Sequence, residues 1–196
     1  WYRPWDRVFD PYAGQYGRWF PGAECNTAWN CLDRHLARGR ARQKALIYDS
    51  PVTGSQRAFT YAELTEEVAT LGAVLQDLGV RRGDRVVIFA DNTVETVVSF
   101  WAVLKANAVV SVVNPLTKSD KLGYLLGDCR PTALITDHHL HSAFAGPVRA
   151  CAHLRRVVVS GAITDAQLAG LPHAQRWDDA LAAGDRALPP ARSCID

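Results

Sequence analysis

The chain of 196 residues contains no methionine, and no apolar run in it is long enough to cross a membrane. A transmembrane helix needs about 20 consecutive apolar residues, so the sequence predicts no membrane span. The opening residues, WYRPWDRVFD, also lack the basic head, apolar centre and small-residue cleavage site of a secretory signal. Because the sequence does not begin with methionine, we expect it to be part of a longer protein.

An excess of charge of one sign and a regular cysteine spacing are absent as well. The 22 lysines and arginines nearly balance the 20 aspartates and glutamates, which leaves a net charge of +2. Such a balance provides no strong positive field for nucleic acid or for an anionic membrane. The cysteines are odd in number and scattered, which argues against a disulfide framework and favours the reducing cytoplasm. They are Cys25, Cys31, Cys129, Cys151 and Cys194.

The common signatures of nucleotide sites and of nucleophiles are missing too. No GxGxxG follows a strand, and the patterns GxxxxGK[ST] and GxSxG do not occur. No pair of carboxylates stands out as an acid–base couple. On its residues alone, the sequence therefore predicts an α/β domain in which no residue is assigned to catalysis, to cofactor binding or to a metal.

What the sequence does contain is a regular alternation of apolar strands and capped helices. Strands are predicted at 85–89, 109–113, 132–136 and 156–160, where apolar residues run almost without interruption. Alternation of this kind with short turns is typical of a parallel sheet covered by helices. The residues that predict helix starts and ends are Thr60 with Glu63, Gly79, Asn92 with Glu95, Ser119, Gly127, Asp137, and Thr164 with Gln167.

The front of the chain shows no clean period at first. Residues 1–22 are rich in aromatic side chains, and we expect them to drape over a core. Asn26 or Thr27 is predicted to cap a helix that runs to about Arg38 and ends at Gly39. A hairpin of two strands, 44–50 and 57–60, is then predicted around the turn PVTGSQ.

Two short stretches carry side chains that could bind a metal. In the first, Cys25, Cys31 and His35 do not have the spacing of a zinc site. Cys31 and His35 are four residues apart, but no residue is seen to orient the histidine as a base. We therefore expect the cysteines to be packing residues that bind no metal, with Asp33 and Arg34 on the solvent face of the helix.

The second stretch is DHHLH at 137–141. Its three histidines stand at a predicted helix start, where we do not expect them to converge on one ion. Asp137 is predicted to cap that helix.

Two longer stretches resemble known motifs. FTYAELTEEVATLGAVLQDLGVRRGDRVVI, at 59–88, resembles the first core motif of the adenylate-forming enzymes, which comprise acyl-CoA synthetases, adenylation domains and luciferases. AVLKANAVVSVVNP, at 102–115, resembles their second core motif. The usual glycine of that motif is Asn107 here, and asparagine also tolerates the left-handed conformation. We therefore predict a positive φ at Asn107, and we expect glycine there to be neutral or slightly stabilising.

The front is similar to a narrower group. WFPGAECNTAWNCLDRHLARGR, which starts at Trp19, resembles the amino-terminal region of acetyl- and propionyl-CoA synthetases, whereas the sequence after about residue 90 resembles the broader acyl-CoA ligases. The resemblance implies the first subdomain of the large domain of such an enzyme. Residues 1–58 would form an extension whose helix and hairpin pack on the core, 59–184 the βαβ subdomain, and 185–196 a linker toward the family's phosphate loop.

The resemblance also implies an activity for the whole protein. A carboxylic acid and ATP, with Mg²⁺, would form an acyl-adenylate and pyrophosphate, and coenzyme A would then take the acyl group. The phosphate loop and the catalytic lysine of the family match nothing here, so the chain alone is expected to be inactive. Its lysines, which match no catalytic lysine, are Lys44, Lys105, Lys118 and Lys121.

Two alternatives remain open at this point. One is a catalytically silent α/β scaffold or binding module, natural or chimeric. The other is the front of an adenylation domain that loads a carrier protein, although the stretch NCLDRH favours a coenzyme A synthetase. No residue indicates which acyl chain is used.

Overall fold

The structure is a computed structural model that describes residues 1–183. The expected linker at 185–196, with Cys194, lies outside the described residues. The strands are β1 (Phe9–Asp10), β2 (Arg18–Trp19), β3 (Lys44–Ser50), β4 (Ser55–Thr60), β5 (Arg85–Phe89), β6 (Val109–Val113), β7 (Ala133–Asp137), β8 (Arg156–Ser160) and β9 (Ala174–Arg176). The α-helices are α1 (Arg34–Ala37), α2 (Tyr61–Asp77), α3 (Val94–Lys105), α4 (Ser119–Cys129), α5 (His141–Ala150), α6 (Asp165–Ala169) and α7 (Trp177–Ala182).

A five-stranded sheet in the order β6-β5-β7-β8-β9 forms the centre. All of its neighbouring strands run parallel, with Val86 of β5 opposite Val110 of β6 and Ala133 of β7. The apolar runs of β5, β7 and β8 are buried on both faces, as a parallel sheet covered by helices requires. Strand β6, predicted to be buried, lies at the edge of the sheet, and its Val109 and Val112 are exposed. The predicted α/β fold with a parallel sheet and flanking helices is confirmed.

Alternate residues of each strand enter two different cores, because successive side chains of a strand point to opposite faces. Val86 packs with α2, α3 and α7 on one face. Val87 and Phe89, on the other face, pack with α4 and α5. Fully burying a side chain of this kind stabilises the fold by about 1.5–3 kcal/mol, so both layers contribute to holding the sheet.

Most of the predicted helix starts are correct, and one is wrong. The capping boxes of Thr60 with Glu63 and of Thr164 with Gln167 are both formed. The predicted box of Asn92 with Glu95 is not, since Thr93 caps α3 instead and its hydroxyl oxygen accepts a hydrogen bond from the Thr96 amide at 3.3 Å.

Helix α4 extends past Gly127, where the sequence predicted its end. It stops when Arg130 takes a left-handed conformation with φ 47°.

The front of the chain differs from expectation in one respect. Trp1, Trp5 and Phe20 pack on one another, with ring centroids 5.3–5.5 Å apart. Tyr2 contacts Trp29, but Tyr12 is 93% exposed. The first 22 residues therefore cover the core less than predicted and pack largely among themselves.

The predicted helix at the front begins at Asn26, whose Oδ1 accepts a hydrogen bond from the Trp29 amide at 3.1 Å. It continues through a π-helical turn, Trp29–Asp33, into α1. The predicted hairpin is present as β3 and β4, an antiparallel pair that contacts α2. Among residues 1–183, no helix is both long and apolar enough to cross a membrane.

Candidate functional site

Polar side chains gather where the parallel strands end. Asp91 follows β5, Asp137 closes β7, and Ser160 closes β8. Because neighbouring parallel strands end at the same edge, these residues come together although they are far apart in sequence. The crevice outside the carboxyl ends of the strands is where open α/β sheets bind their ligands, and this edge is the candidate functional site.

Two buried hydroxyl groups tie the strand ends to one another. The Thr136 hydroxyl donates to the carbonyl oxygen of Phe89 at 2.7 Å. The Ser160 hydroxyl donates to the carbonyl oxygen of Thr136 at 3.2 Å. The ends of β5, β7 and β8 are therefore held by side chains as well as by the backbone, which fixes the positions of the polar groups that follow.

A cluster of two aspartates and two histidines, which we call the Asp–His cluster, lies at this edge. His139 is placed between the aspartates, with Nε2 2.9 Å from Asp91 Oδ2 and Nδ1 3.1 Å from Asp137 Oδ1. His138 Nδ1 lies 3.0 Å from the same Asp137 oxygen. The ring of His138 rests against Gly161, where a Cβ atom would lie 2.2 Å from Nδ1.

The structure adds to two expectations for this stretch. Ligand atoms of His138 and His139 come together at Asp137, and that the three histidines do not bind one ion stays a prediction. Asp137 occupies the N-cap position of the 3₁₀ turn His138–Leu140, but its carboxylate makes no capping hydrogen bond and lies against the two imidazoles. His141 stays apart from the cluster as expected, with its ring packed against Phe144 at 5.5 Å.

An open cleft of about 630 Å³ lies beside the end of β8, between α2, α3 and α7. Its charged lining is mostly acidic, and Arg57 is the basic residue among the lining side chains. The Arg57 guanidinium approaches Glu95 at 3.9 Å, and both side chains are well exposed to solvent. The acidic residues that line the cleft are Glu63, Glu66, Glu67, Glu95 and Asp178.

Two glutamates of the cleft have pKa values shifted in opposite directions. Burial raises the pKa of Glu67, and the nearby Glu95, Glu63 and Glu66 add to this while Arg57 opposes it. Hydrogen bonds from the backbone and hydroxyl of Thr60 lower the pKa of Glu63. With its excess of carboxylates, the cleft attracts cations and repels a triphosphate, so its charge does not suit ATP.

The stretch that resembles acetyl-CoA synthetases docks on the end of α3. Asn26 Nδ2 donates to the carbonyl oxygen of Leu104 at 2.9 Å and to Asn107 Oδ1 at 3.0 Å. Asp33 accepts from Lys105 Nζ at 2.6 Å. The expectation that Asp33 lies on the solvent face is wrong, since the helix turns that residue inward onto α3.

The turn after α3 has the predicted backbone. Asn107 has a φ of 62°, which confirms the left-handed conformation expected from its place in the second core motif. Its carbonyl oxygen accepts from the Gly83 amide at 3.0 Å, and its side chain accepts from Asn26. The sequence predicted the backbone conformation but not the second role of the side chain.

Of the two cysteines of the front, Cys31 is a packing residue in this structure, and Cys25 is partly buried. Cys31 packs against the core beside α2, and the His35 ring stacks on Tyr61 at 4.5 Å. Burial, reinforced by neighbouring arginines, holds the pKa of His35 below its ordinary value. Within residues 1–183, Cys25, Cys31 and His35 do not form a group of three converging ligand atoms. That the two cysteines bind no metal stays a prediction.

None of the four lysines lines the acidic cleft or belongs to the Asp–His cluster. Lys105 is paired with Asp33, and Lys44 is exposed at the start of β3. Lys118 and Lys121 line a shallow groove at the start of α4, together with Asp120. No two of these lysines meet at the Asp–His cluster or in the acidic cleft.

Two family models cover nearly the whole chain. The model described as "AMP-binding enzyme" matches residues 32–193, and the model "Acetyl-coenzyme A synthetase N-terminus" matches residues 1–31. The boundary between them falls within the helix that carries Asn26 and Asp33.

The curated relatives agree with these matches. The acetyl-coenzyme A synthetase of Cupriavidus necator is 33% identical over 195 residues, which is 94% of this chain and 29% of that protein. Human mitochondrial acyl-CoA synthetase short-chain family member 3 is 32% identical over 136 residues, 69% of this chain and 20% of that protein. The chain thus spans less than a third of the length of either relative.

A solved structure shares the fold. The anthranilate CoA ligase AuaEII, determined in complex with anthranoyl-AMP, superimposes with a TM-score of 0.73 and 27% sequence identity, over 87% of this chain and 30% of that one. With a parallel α/β core, a front like that of acetyl-CoA synthetases and a family match over residues 32–193, the chain belongs to the AMP-binding enzymes, the adenylate-forming superfamily.

Proposed function

We propose that the chain is the front part of an ATP-dependent acyl-CoA synthetase. The whole protein would join a carboxylic acid to AMP, consuming ATP in the presence of Mg²⁺ and releasing pyrophosphate. Coenzyme A would then displace AMP to give the thioester. The observation that supports this most is the continuity of two matches, an acetyl-CoA synthetase N-terminus at 1–31 and the AMP-binding family from residue 32 onward.

Residues 1–183 would serve as scaffold in this reaction. Stabilising the phosphates as pyrophosphate leaves requires preorganised hydrogen-bond donors, a cation and Mg²⁺. The first turns of α2 and α3 are already capped by Thr60 and Thr93, and the cleft beside them is acidic. Lys105 is engaged with Asp33. These features favour a region that supports the chemistry without carrying it out.

The front of the chain favours a coenzyme A synthetase over an enzyme that loads a carrier protein. Asn26 and Asp33, which belong to the synthetase-like stretch, make specific contacts with α3 and with Asn107. The stretch is therefore packed specifically against the rest of the fold. We keep the cytoplasm as the expected compartment of the whole protein.

The test uses the complete protein encoded by the gene from which this chain derives. We expect carboxylate-dependent exchange of pyrophosphate into ATP with acetate, propionate or a longer acid, followed by formation of the corresponding coenzyme A thioester. The 196-residue chain alone is the control and should show no exchange above the no-enzyme background.

Each other outcome has a defined meaning. Acid-dependent exchange without thioester formation would favour the carrier-loading alternative. No exchange with any acid would favour the silent scaffold. Exchange catalysed by the 196-residue chain alone would overturn the scaffold role.

A further inference from the structure

The Asp–His cluster brings three metal-ligating atoms to one point at the carboxyl edge of the sheet. The Nδ1 atoms of His138 and His139 lie 3.0 and 3.1 Å from the same Oδ1 of Asp137. One ligand atom from each of Asp137, His138 and His139 lies within 4.8 Å of the other two. Ligands bound tetrahedrally at 2.0–2.1 Å from a zinc ion are about 3.3 Å apart. Small side-chain rotations would therefore bring all three onto one ion.

We propose that Asp137, His138 and His139 bind a divalent transition-metal ion of the zinc type. Two imidazole nitrogens and one carboxylate oxygen suit zinc and its neighbours, whereas Mg²⁺ prefers oxygen ligands alone. Three protein ligands leave a tetrahedral ion with one open position, which water would fill. The cluster would bind the ion whether or not the whole protein forms acyl-adenylates.

Asp91 supplies the outer support that metal-binding histidines usually have. A histidine that ligates through one ring nitrogen commonly donates its other N–H to a carboxylate, which fixes the ring and its tautomer. Here Nδ1 of His139 faces Asp137, and its Nε2 lies 2.9 Å from Asp91 Oδ2. The arrangement leaves Nδ1 of His139 for the metal while Nε2–H donates to Asp91.

The ligands are also held in place and open to solvent on one side. Asp137 closes β7, is paired in register with Ser160 of β8, and has a side chain only 13% exposed. The side chains of His138 and His139 are 38% and 45% exposed. Gly161 provides the space in which the His138 ring lies. A metal ion could enter from the solvent side without a rearrangement of the strands.

The simpler interpretation is a network of Asp–His hydrogen bonds that holds the strand ends together. Both interpretations predict the observed distances, but they differ in their response to metal. A hydrogen-bond network gains nothing from zinc, whereas a metal site is stabilised by mass action when the ion binds the folded chain. Metal binding itself is therefore the decisive measurement.

The experiment is a titration of the tag-free 196-residue chain with Zn²⁺ by calorimetry, because a polyhistidine tag would itself bind zinc. Co²⁺ replaces Zn²⁺ in a second titration, in which a strong rise in visible d–d absorption over that of aqueous Co²⁺ reports a tetrahedral site. Mg²⁺ is the hard-cation control. We expect one zinc per chain, an intensified Co²⁺ spectrum and no response to Mg²⁺.

The variants assign the site. His138→Gln and His139→Gln should each weaken zinc binding at least about ten-fold, and Asp91→Asn, which alters the outer support, by about ten-fold or more. His153→Gln is the matched control, since His153 is exposed and outside the cluster. It should bind zinc as the unsubstituted chain does. Circular dichroism of each variant checks that it is folded.

A measurement on the unsubstituted chain keeps the test independent of variant folding. Substoichiometric Zn²⁺ should shift the imidazole resonances of His138 and His139 and leave those of His153 unchanged. Absence of zinc binding, equal weakening by His138→Gln and His153→Gln, or shifts spread over all histidines would each overturn the proposal.

Discussion

Lys105 Nζ lies 2.6 and 2.8 Å from the two carboxylate oxygens of Asp33, although the two residues are 72 positions apart. The side chains of this pair are only 7% and 15% exposed. Together with the hydrogen bonds of Asn26 to Leu104 and Asn107, the pair fastens the front of the chain to the end of α3. The stretch that holds Asn26 and Asp33 thus has a structural function, in keeping with the expectation that it is not a nucleophile site.

We predict that Lys105→Met strongly destabilises the chain. Removing one partner leaves the Asp33 carboxylate without its counter-charge in a mostly buried position, which costs about 3 kcal/mol. The double variant Asp33→Leu/Lys105→Met should cost less than Lys105→Met, because no unpaired charge remains. Unfolding in urea measures the loss of stability in the single and the double variant. Arg3→Gln is the control, since Arg3 and Asp6 form an exposed pair at 3.8 Å whose loss should change stability by less than about 0.5 kcal/mol. Equal effects of Lys105→Met and Arg3→Gln would contradict the assigned role.

Asn107 gives a second prediction, which revises the expectation from sequence. Glycine was expected to be neutral there, but Asn107 Oδ1 accepts from Asn26. We now expect Asn107→Gly to cost about 0.5–1 kcal/mol for the lost hydrogen bond. Asn107→Val should cost at least about 1 kcal/mol more, because a positive φ is strained for a branched side chain. In an Asn26→Ala background the cost of Asn107→Gly should disappear. Persistence of the full cost there would show that the hydrogen bond is unimportant.

Glu63 and Glu67, on the same helix, should give opposite pH dependences of stability. The lowered pKa of Glu63 means that it stabilises the fold above its ordinary value of 4.5, and that this is lost as pH falls. The raised pKa of Glu67 means that its charge destabilises the fold at neutral pH and that protonation relieves this as pH falls. At pH 7, Glu67→Gln should therefore stabilise the chain and Glu63→Gln should destabilise it. The difference in free energy of unfolding between each variant and the unsubstituted chain should shrink toward pH 4. Urea unfolding at a series of pH values measures this. Changes of the same sign in the two variants would rule this out.

The sequence predicted features that depend on near neighbours. The capping box of Thr60 and Glu63 involves residues three apart, and the strand Arg85–Phe89 is an uninterrupted apolar run. Strand β9 was missed because AQR has no apolar run, and its three residues are only half-buried. Thr93 was missed as a cap because Asn92 offered an equally good local pattern.

Contacts across the fold could not be predicted in the same way. The partner of Lys105 is set by how the π-helical turn Trp29–Asp33 lies against α3, not by any spacing in the sequence. The convergence of His138 and His139 on Asp137 depends on the three-residue 3₁₀ turn after β7. The adjacency of Asp91 depends on β5 and β7 being neighbours in the sheet. The one local indication of the Asp–His cluster was the sequence DHH at the end of a predicted strand. The same sequence is equally compatible with a solvent-exposed helix start.

Gly161 gives the last prediction, which separates backbone strain from steric conflict. Gly161 and Gly83 have similar φ values of 78° and 81°, so alanine is strained at both positions, at a cost of about 1 kcal/mol. At Gly83 a Cβ atom meets nothing within 4 Å, whereas at Gly161 it would lie 2.2 Å from His138 Nδ1. We therefore expect Gly161→Ala to destabilise the chain more than Gly83→Ala does, and to displace the His138 ring. The variant His138→Ala removes the ring. In that background, Gly161→Ala should lower the free energy of unfolding only as much as Gly83→Ala does in the unsubstituted chain. Urea unfolding of the five proteins, including the unsubstituted chain, gives this comparison. If the excess cost at Gly161 survives in the His138→Ala background, the conflict lies with the backbone and not with the imidazole.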